Sequence, residues 1–280
     1  MNRRSRLSVA CVGGLVLIAV GARGAGAQSA QPKEPYTITV MPPGGPPPRL
    51  PDGHPDLSGH WLPNGAGQGV SGRFGVDPEA RRQFDPKVTP EEPPSFQPWA
   101  LQKIKSMTPT EVELSKSSVN CMPRGLPAIW LQNPYSTYIV HNKDVMAQLY
   151  EVLNNWRLIR VDGRPLPKNP EPFFNGNSTA RWEGDALIVE SIGFDERTYI
   201  MADGWFHSDE LRVTERYTRP SANYLIIEIT VEDPKVLQKP WKSAPRRWTL
   251  GDGEVYEFYC TNNKELEELQ KLRELEQRGK

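Results

Sequence analysis

The sequence predicts a mainly β protein built around an antiparallel barrel of about eight strands, with a proline-rich N-terminal arm and a C-terminal amphipathic helix. Three observations carry this reading. After Pro134 the chain breaks into short runs rich in β-branched and aromatic residues, each bounded by Asn, Asp, Gly or Pro. Strand and helix patterns do not alternate along the chain, which argues against a parallel sheet of βαβ units. A meander of this many strands leaves two open edges, and closure into a barrel pairs both. A two-sheet sandwich is the rival arrangement.

Taken in order, Arg3, Arg4 and Arg6 precede an apolar run from Leu7 to Val20 and the small residues Ala25, Gly26 and Ala27. That is the order of a secretory signal cleaved after Ala27, so residues 1–27 read as an address and the mature chain as periplasmic or secreted. The run is short for a membrane span and no second stretch of about 18 apolar residues follows, so no stable membrane insertion is expected. Of the chain's 28 prolines, 16 lie between Gln28 and Pro98. Residues 28–56, including the run from Met41 to Pro51, therefore read as an extended polyproline-like arm. Residues 57–134 read as an irregular wrapping segment holding the first strand and short helices near Pro78 to Phe84, Trp99 to Lys105 and Thr110 to Ser117. The last of these is expected to open on Thr110 as its cap, with Glu111 and Glu113 in the first turn.

Residues 135–262 carry the barrel. Tyr135 to His141, Val145 to Leu153 and Trp156 to Val161 are separated by Asn142-Lys-Asp144 and Asn154-Asn155, the spacing of consecutive hairpins. Asn177 to Glu183 and Ala186 to Ser191 meet at a Gly184-Asp185 corner. Glu210 to Arg219 and Asn223 to Val231 are joined by Pro220-Ser-Ala222, and Arg246 to Leu250 and Glu254 to Cys260 by Gly251-Asp-Gly253. In residues 263–280, Leu266, Leu269, Leu272 and Leu275 stripe a charged helix suited to covering an end or edge of the sheet.

The 280 residues hold 34 basic and 34 acidic side chains, so charge gives no reason to expect nucleic acid as a partner. Removing residues 1–27 takes away four arginines and no acid, leaving a mildly acidic chain at −4. Cys121 and Cys260 are then the remaining thiols, and in an oxidising compartment a disulfide between them closes a loop of about 140 residues; two separately buried thiols are the alternative. His54, His60, His141 and His207 show no metal-ligand spacing, so no metal is expected. No glycine-rich loop sits between a strand and a helix, so no nucleotide or other cofactor is expected either.

Leu57-Ser-Gly-His-Trp61, following Pro51-Asp-Gly-His-Pro-Asp56, resembles the Gly-x-Trp that opens the first strand of lipocalin-like barrels. A wider set comprises Cys121 to Pro127, Arg157 to Pro167, Trp182-Glu-Gly-Asp185 with the strand after it, His207-Ser-Asp-Glu-Leu211, Glu215-Arg-Tyr-Thr-Arg219 and Glu232-Asp-Pro234. Together these resemble a group of uncharacterised secreted proteins of environmental bacteria over about residues 51 to 262. The resemblance implies export and a lipocalin-like barrel, and it supplies no reaction. Arg181, before Trp182, departs from the polar aromatic expected there.

The strand from Glu210 to Arg219 is the most informative. Period-two alternation puts Leu211, Val213, Glu215, Tyr217 and Arg219 on one face, so Glu215 points inward among apolar neighbours. A carboxylate so placed pairs with a cation such as Arg157 or Arg219, or acts as an acid, base or ligand anchor in a barrel mouth. The same counting places Glu151 on an inner face with Val145, Ala147, Leu149 and Leu153. Trp156 and Leu158 argue for one face of the next strand and Ile159 with Val161 for the other, in which case Arg157 joins the interior. His207, eight positions before Glu215, has the near-neutral pKa suited to proton transfer, though a loop histidine is more often a plain hydrogen-bonding residue. Asp162-Gly163-Arg164 and Trp182-Glu-Gly-Asp185 read first as turns, with a ligand-rim role as the alternative.

The leading expectation is an exported barrel binding an apolar or aromatic small molecule with a polar handle, with Glu215 and His207 as candidate catalytic groups and Arg157, Glu151, Tyr217, Arg219 and Trp182 as candidate binding groups. The alternative is a cofactor-independent lyase, isomerase or hydratase in the same pocket. A third reading is an envelope interaction protein that meets a protein partner through the arm and the C-terminal helix.

Overall fold

A computed structural model describes residues 42–63, 93–131, 135–201, 204–258, 260–261 and 263–279. The expected signal sequence, the expected arm up to residue 41 and the helix expected at Pro78 to Phe84 lie outside the described residues. Among the described residues ten strands form, in chain order β1 (Gly59–Pro63), β2 (Thr137–His141), β3 (Val145–Tyr150), β4 (Asn155–Arg160), β5 (Asn177–Glu183), β6 (Ala186–Ile192), β7 (Arg212–Ser221), β8 (Tyr224–Glu232), β9 (Trp241–Lys242) and β10 (Arg246–Gly251). The helices are α1 (Pro98–Ser106), α2 (Pro109–Leu114), α3 (Ser117–Asn120), α4 (Ala128–Leu131) and α5 (Asn263–Arg278).

Strands β1 to β8 pair in sequence, β10 pairs with β8, and β1 pairs with β10, which closes a nine-strand ring. Strand β9 pairs with β8 outside the ring. The barrel is therefore closed, as expected, but it is mixed and has nine strands where an antiparallel barrel of about eight was expected. The single parallel joint is β4 to β5, at Arg160 and Thr179. Its cause lies in the connection: residues 161–176 carry Pro165, Pro167, Pro170 and Pro172, and this proline-rich crossover brings the chain back to start β5 in the direction of β4.

The strand expected at Glu254 to Cys260 does not form among the described residues. The edge of β10 that a Gly251-Asp-Gly253 hairpin would fill is taken by β1 instead, with His60 opposite Gly251 and Trp61 opposite Leu250. That pairing spans most of the chain, and no local turn signal announces it.

Alternation holds along β7 and β8. Val213, Glu215, Tyr217 and Arg219, and Leu225, Ile227, Ile229 and Val231, are buried, while Arg216 pairs with Glu228 outside. On β3 the expectation is reversed. Met146, Gln148 and Tyr150 face in, and Val145, Ala147 and Leu149 face out beside Val140, Trp156 and Leu158, with Trp156 66% exposed. On β4, Arg157 and Ile159 are the inward residues.

Helix α2 opens on Thr108, not Thr110. The Thr108 hydroxyl accepts from the Glu111 backbone N–H and the Glu111 carboxylate accepts from the Thr108 N–H, a capping box that Pro109 at the first helical position favours. Helix α5 packs against α2 and α3, with Glu276 accepting from the Thr110 N–H. Of its leucine stripe Leu269 is buried whereas Leu266 and Leu275 are exposed, so the helix braces other helices instead of covering a sheet edge. The Cys121–Cys260 disulfide (S–S 1.97 Å) joins the end of α3 to the segment entering α5.

Candidate functional site

Arg157 and Glu215 meet inside the barrel, their side chains 3% and 0% exposed. The guanidinium grips the carboxylate with two parallel bonds, Nη1 to Oε1 at 3.0 Å and Nη2 to Oε2 at 2.7 Å. Arg157 also donates to the hydroxyls of Ser178 on β5 (2.8 Å) and Ser191 on β6 (2.7 Å). Glu215 Oε1 accepts two further bonds, from Tyr217 O–H at 2.6 Å and from Trp130 Nε1 at 2.7 Å. Gln148 donates to the Tyr217 hydroxyl (2.9 Å) and accepts from Tyr150. Five strands, β3 to β7, and α4 thus supply one saturated polar layer. Burial pulls the Arg157 pKa down, and the adjacent Glu215 charge more than reverses that, so the guanidinium stays charged. Burial holds the Tyr150 and Tyr217 hydroxyls protonated.

Of the sequence-derived candidates, Glu215, Arg157 and Tyr217 come together here. The partners that alternation missed, Gln148, Tyr150, Ser178 and Ser191, are polar residues on inner faces, and Trp130 arrives from a four-residue helix. Sequence patterning treats an inward glutamine as an outward one, which is why β3 was assigned the wrong face. Glu151 corrects accordingly. The strand ends at Tyr150, and Glu151 sits in the following turn, accepting from the Ser136 N–H at 3.2 Å and from its hydroxyl at 2.5 Å. His207 is buried, but its Nδ1 meets the Ser208 carbonyl and its Nε2 the Thr198 hydroxyl, each at 2.8 Å. The Ser208 hydroxyl donates to Asp233 at 2.7 Å, so it goes to a carboxylate and not to the imidazole. This ties the His207-Ser-Asp-Glu-Leu211 motif to Glu232-Asp-Pro234. Asp162 and Arg164 pair across their turn on the exposed surface.

Arg219 and Trp182 lie at the barrel end where β2, β5 and β7 finish. Residues 42–58 cross that end as a strap, so this part of the expected arm is docked. The strap holds its own shape through Leu50 N–H to His54 O (2.8 Å) and Asp56 N–H to Pro48 O (2.9 Å). Arg219 donates to the Asp56 and Ser58 carbonyls beneath it and lies 4.9 Å from the centre of the Trp61 ring. At the far side Arg49 grips Asp185 in the β5–β6 corner through two bonds of 2.9 and 2.8 Å, an exposed pair that adds little stability.

Under the strap, His141 of β2 is 6% exposed, and its Nδ1 accepts from the Leu57 N–H at 3.3 Å. A neutral imidazole accepting at Nδ1 carries its proton at Nε2. That Nε2–H is buried and no described protein group accepts from it; the same holds for the Trp182 Nε1–H, whose ring centroid is 5.7 Å from that of His141. His54 of the strap stacks on the Trp182 indole with centroids 4.4 Å apart and planes 6° from parallel.

Burial lowers the His141 pKa from 6.5 to about 4. Between those values the unfolded chain binds the proton and the folded chain does not, so stability is complete above about pH 6.5 and falls as the pH drops toward 4. The full loss is on the order of 3 kcal/mol. Urea denaturation across this range will show the decline, and a His141→Asn variant, whose amide oxygen can still accept from Leu57, will show a shallower one. His60 and His207, also lowered by burial, keep the slope above zero. A pH-independent stability from 7 to 4.5 would contradict this.

No family model, curated protein or solved structure matches this chain. No group of three or more potential metal ligands occurs among the described residues, and no described helix is long and apolar enough to cross a membrane. A hollow of about 20 Å³ lies between α2 and Arg124, Arg197 and Tyr199, where Arg197 is already paired with Asp195 and Lys116 with Glu113. It has room for about one water.

Proposed function

We propose that the chain is an exported barrel that binds a small apolar or aromatic molecule by its polar handle, at the strap-covered end. One observation carries this reading: two buried N–H donors, His141 Nε2 and Trp182 Nε1, on neighbouring rings and with no protein acceptor. A buried donor left unmet costs about 1–3 kcal/mol, and an acceptor brought by a ligand recovers it. Two such donors select a carbonyl or carboxylate handle, and the stacked rings of Trp182 and His54 suit an apolar or aromatic body.

The polar layer deeper in the barrel supports binding over acid or base chemistry. Both Glu215 oxygens are engaged, Oε1 by three donors, and the carboxylate has no exposure to a substrate. It serves as the rigid floor beneath the proposed site. Export is supported by the disulfide, which persists in oxidising compartments.

Calorimetric titration with benzoate and with acetophenone tests the reading. Saturable binding is expected in the wild type, weakened about tenfold in Trp182→Phe, which keeps an aromatic ring and removes the N–H. Absence of saturable heat with both probes, or equal affinity in the variant, would count against it.

A further inference from the structure

We infer that His54 is a built-in occupant of the proposed site: its imidazole lies on the Trp182 indole where the flat ring of a ligand goes, so the site takes a planar aromatic ring bearing an acceptor at its rim, and binding swings the tip of the strap off the barrel end. This rests on the reading above and deepens it by naming the ligand class and the gate.

The first support is the stack itself. At 4.4 Å between centroids and 6° between planes, the imidazole presents to the indole the face-to-face contact that a bound heteroaromatic would make. His54 is the one strap residue that reaches this ring in the stacking contacts, and its side chain is 35% exposed, so it covers the indole without being locked into the core. The donors at the rim are in place, because His141 is tilted 47° beside the same indole and its buried Nε2–H has no acceptor among the described residues.

The second support is how the strap is held. Its two ends are fastened: Pro43 and Gly45 carbonyls accept from the Asn223 and Ala222 N–H groups, and Leu57 is fully buried beside the Arg219 contacts to Asp56 and Ser58. Between those ends the tip, Arg49 to Pro55, is bonded mainly to itself, including Arg49 Nη1 to Gly53 O at 2.7 Å. Pro55 is buried at its base, and the polar and stacking contacts that hold the rest of the tip to the barrel are the solvent-exposed Arg49–Asp185 pair and the His54 stack. A segment internally rigid, fixed at both ends and lightly latched in the middle opens as a unit.

The test uses the full mature chain and three probes: benzoate, imidazole and cyclohexanecarboxylate, which carries the same carboxylate on a puckered ring. In His54→Ala the affinity for benzoate is expected to rise about tenfold. Free imidazole, without measurable binding to the wild type, should bind the variant saturably and compete with benzoate. Cyclohexanecarboxylate should gain less than threefold. His54→Phe keeps a ring on the indole and should bind benzoate no better than the wild type, which separates occupancy from loosening of the strap. If benzoate binds the wild type and His54→Ala leaves its affinity unchanged or lower, the occupant idea fails while the binding reading stands. If benzoate binds neither protein the binding reading fails, and imidazole binding to His54→Ala still decides whether the indole face is a ring site; no imidazole binding there overturns the inference.

Discussion

Glu215→Ala will destabilise the protein by about 3–5 kcal/mol, the cost of stranding a buried charge whose partner has been removed. Arg157 would be left 3% exposed with only hydroxyl and amide neighbours, and the Trp130 N–H would lose its acceptor along with Tyr217's. A domain of this size holds about 5–15 kcal/mol in total, so the variant sits near the edge of folding. The paired replacement Arg157→Met with Glu215→Leu removes both charges at similar volume. Ser178 and Ser191 already bond each other at 3.0 Å, and the Tyr217 oxygen still accepts from Gln148, so the unmet groups are the Trp130 N–H and the Tyr217 O–H, which Glu215→Ala strands as well. The double variant should therefore lose at least about 2 kcal/mol less than Glu215→Ala, a difference set by the stranded charge. Urea denaturation followed by near-ultraviolet circular dichroism measures both. A loss under about 1 kcal/mol for the single change would mean that water reaches this layer and that the barrel floor is not dry.

The paired change Cys121→Ser with Cys260→Ser will cost about 5 kcal/mol, because the bridge closes a loop across a sequence separation of 139 and the unfolded chain regains that freedom when the bridge is absent. Dithiothreitol should lower the wild-type urea midpoint by the same amount and leave the variant's midpoint unmoved. The bridge joins the end of α3 to the segment before α5, and α5 leans on α2 and α3, so hydrogen exchange should quicken first in these helices and last in β7 and β8. A midpoint shift worth less than about 1 kcal/mol would show that the helices hold that corner without it.

Much of the barrel was legible because strand alternation is a local signal wherever the inner face is apolar. β7 and β8 follow it residue by residue, and Glu215 stood out as the one acid among Leu211, Val213 and Tyr217. Its cation, Arg157, is one of the two that the strand pattern offers it, Arg219 being the other. β3 shows where the signal stops. Its inner face carries Gln148 between Met146 and Tyr150, while apolar Val145, Ala147 and Leu149 face outward, so hydrophobicity pointed the wrong way and carried Glu151 with it. An inward glutamine is stable only because Tyr150, Tyr217 and Arg157 surround it, and two of those partners, Tyr217 and Arg157, lie on other strands. The candidate site at the barrel end was half visible: Trp182 and Arg219 were singled out, whereas His141 and His54 appeared only as histidines without metal spacing.

The sequence by itself determined the β class, the strands from β2 to β8, the inward acid and the two cysteines available to pair. These depend on side-chain periodicity, turn residues and composition, which act over a few neighbours. Tertiary structure alone decided that β1 closes the ring against β10, that β4 and β5 run parallel, that Trp130 caps Glu215, and that a proline-rich strap lays His54 on Trp182. Each of these is a contact between segments far apart in the chain, settled by which buried edge or polar group still lacked a partner once the local elements had formed.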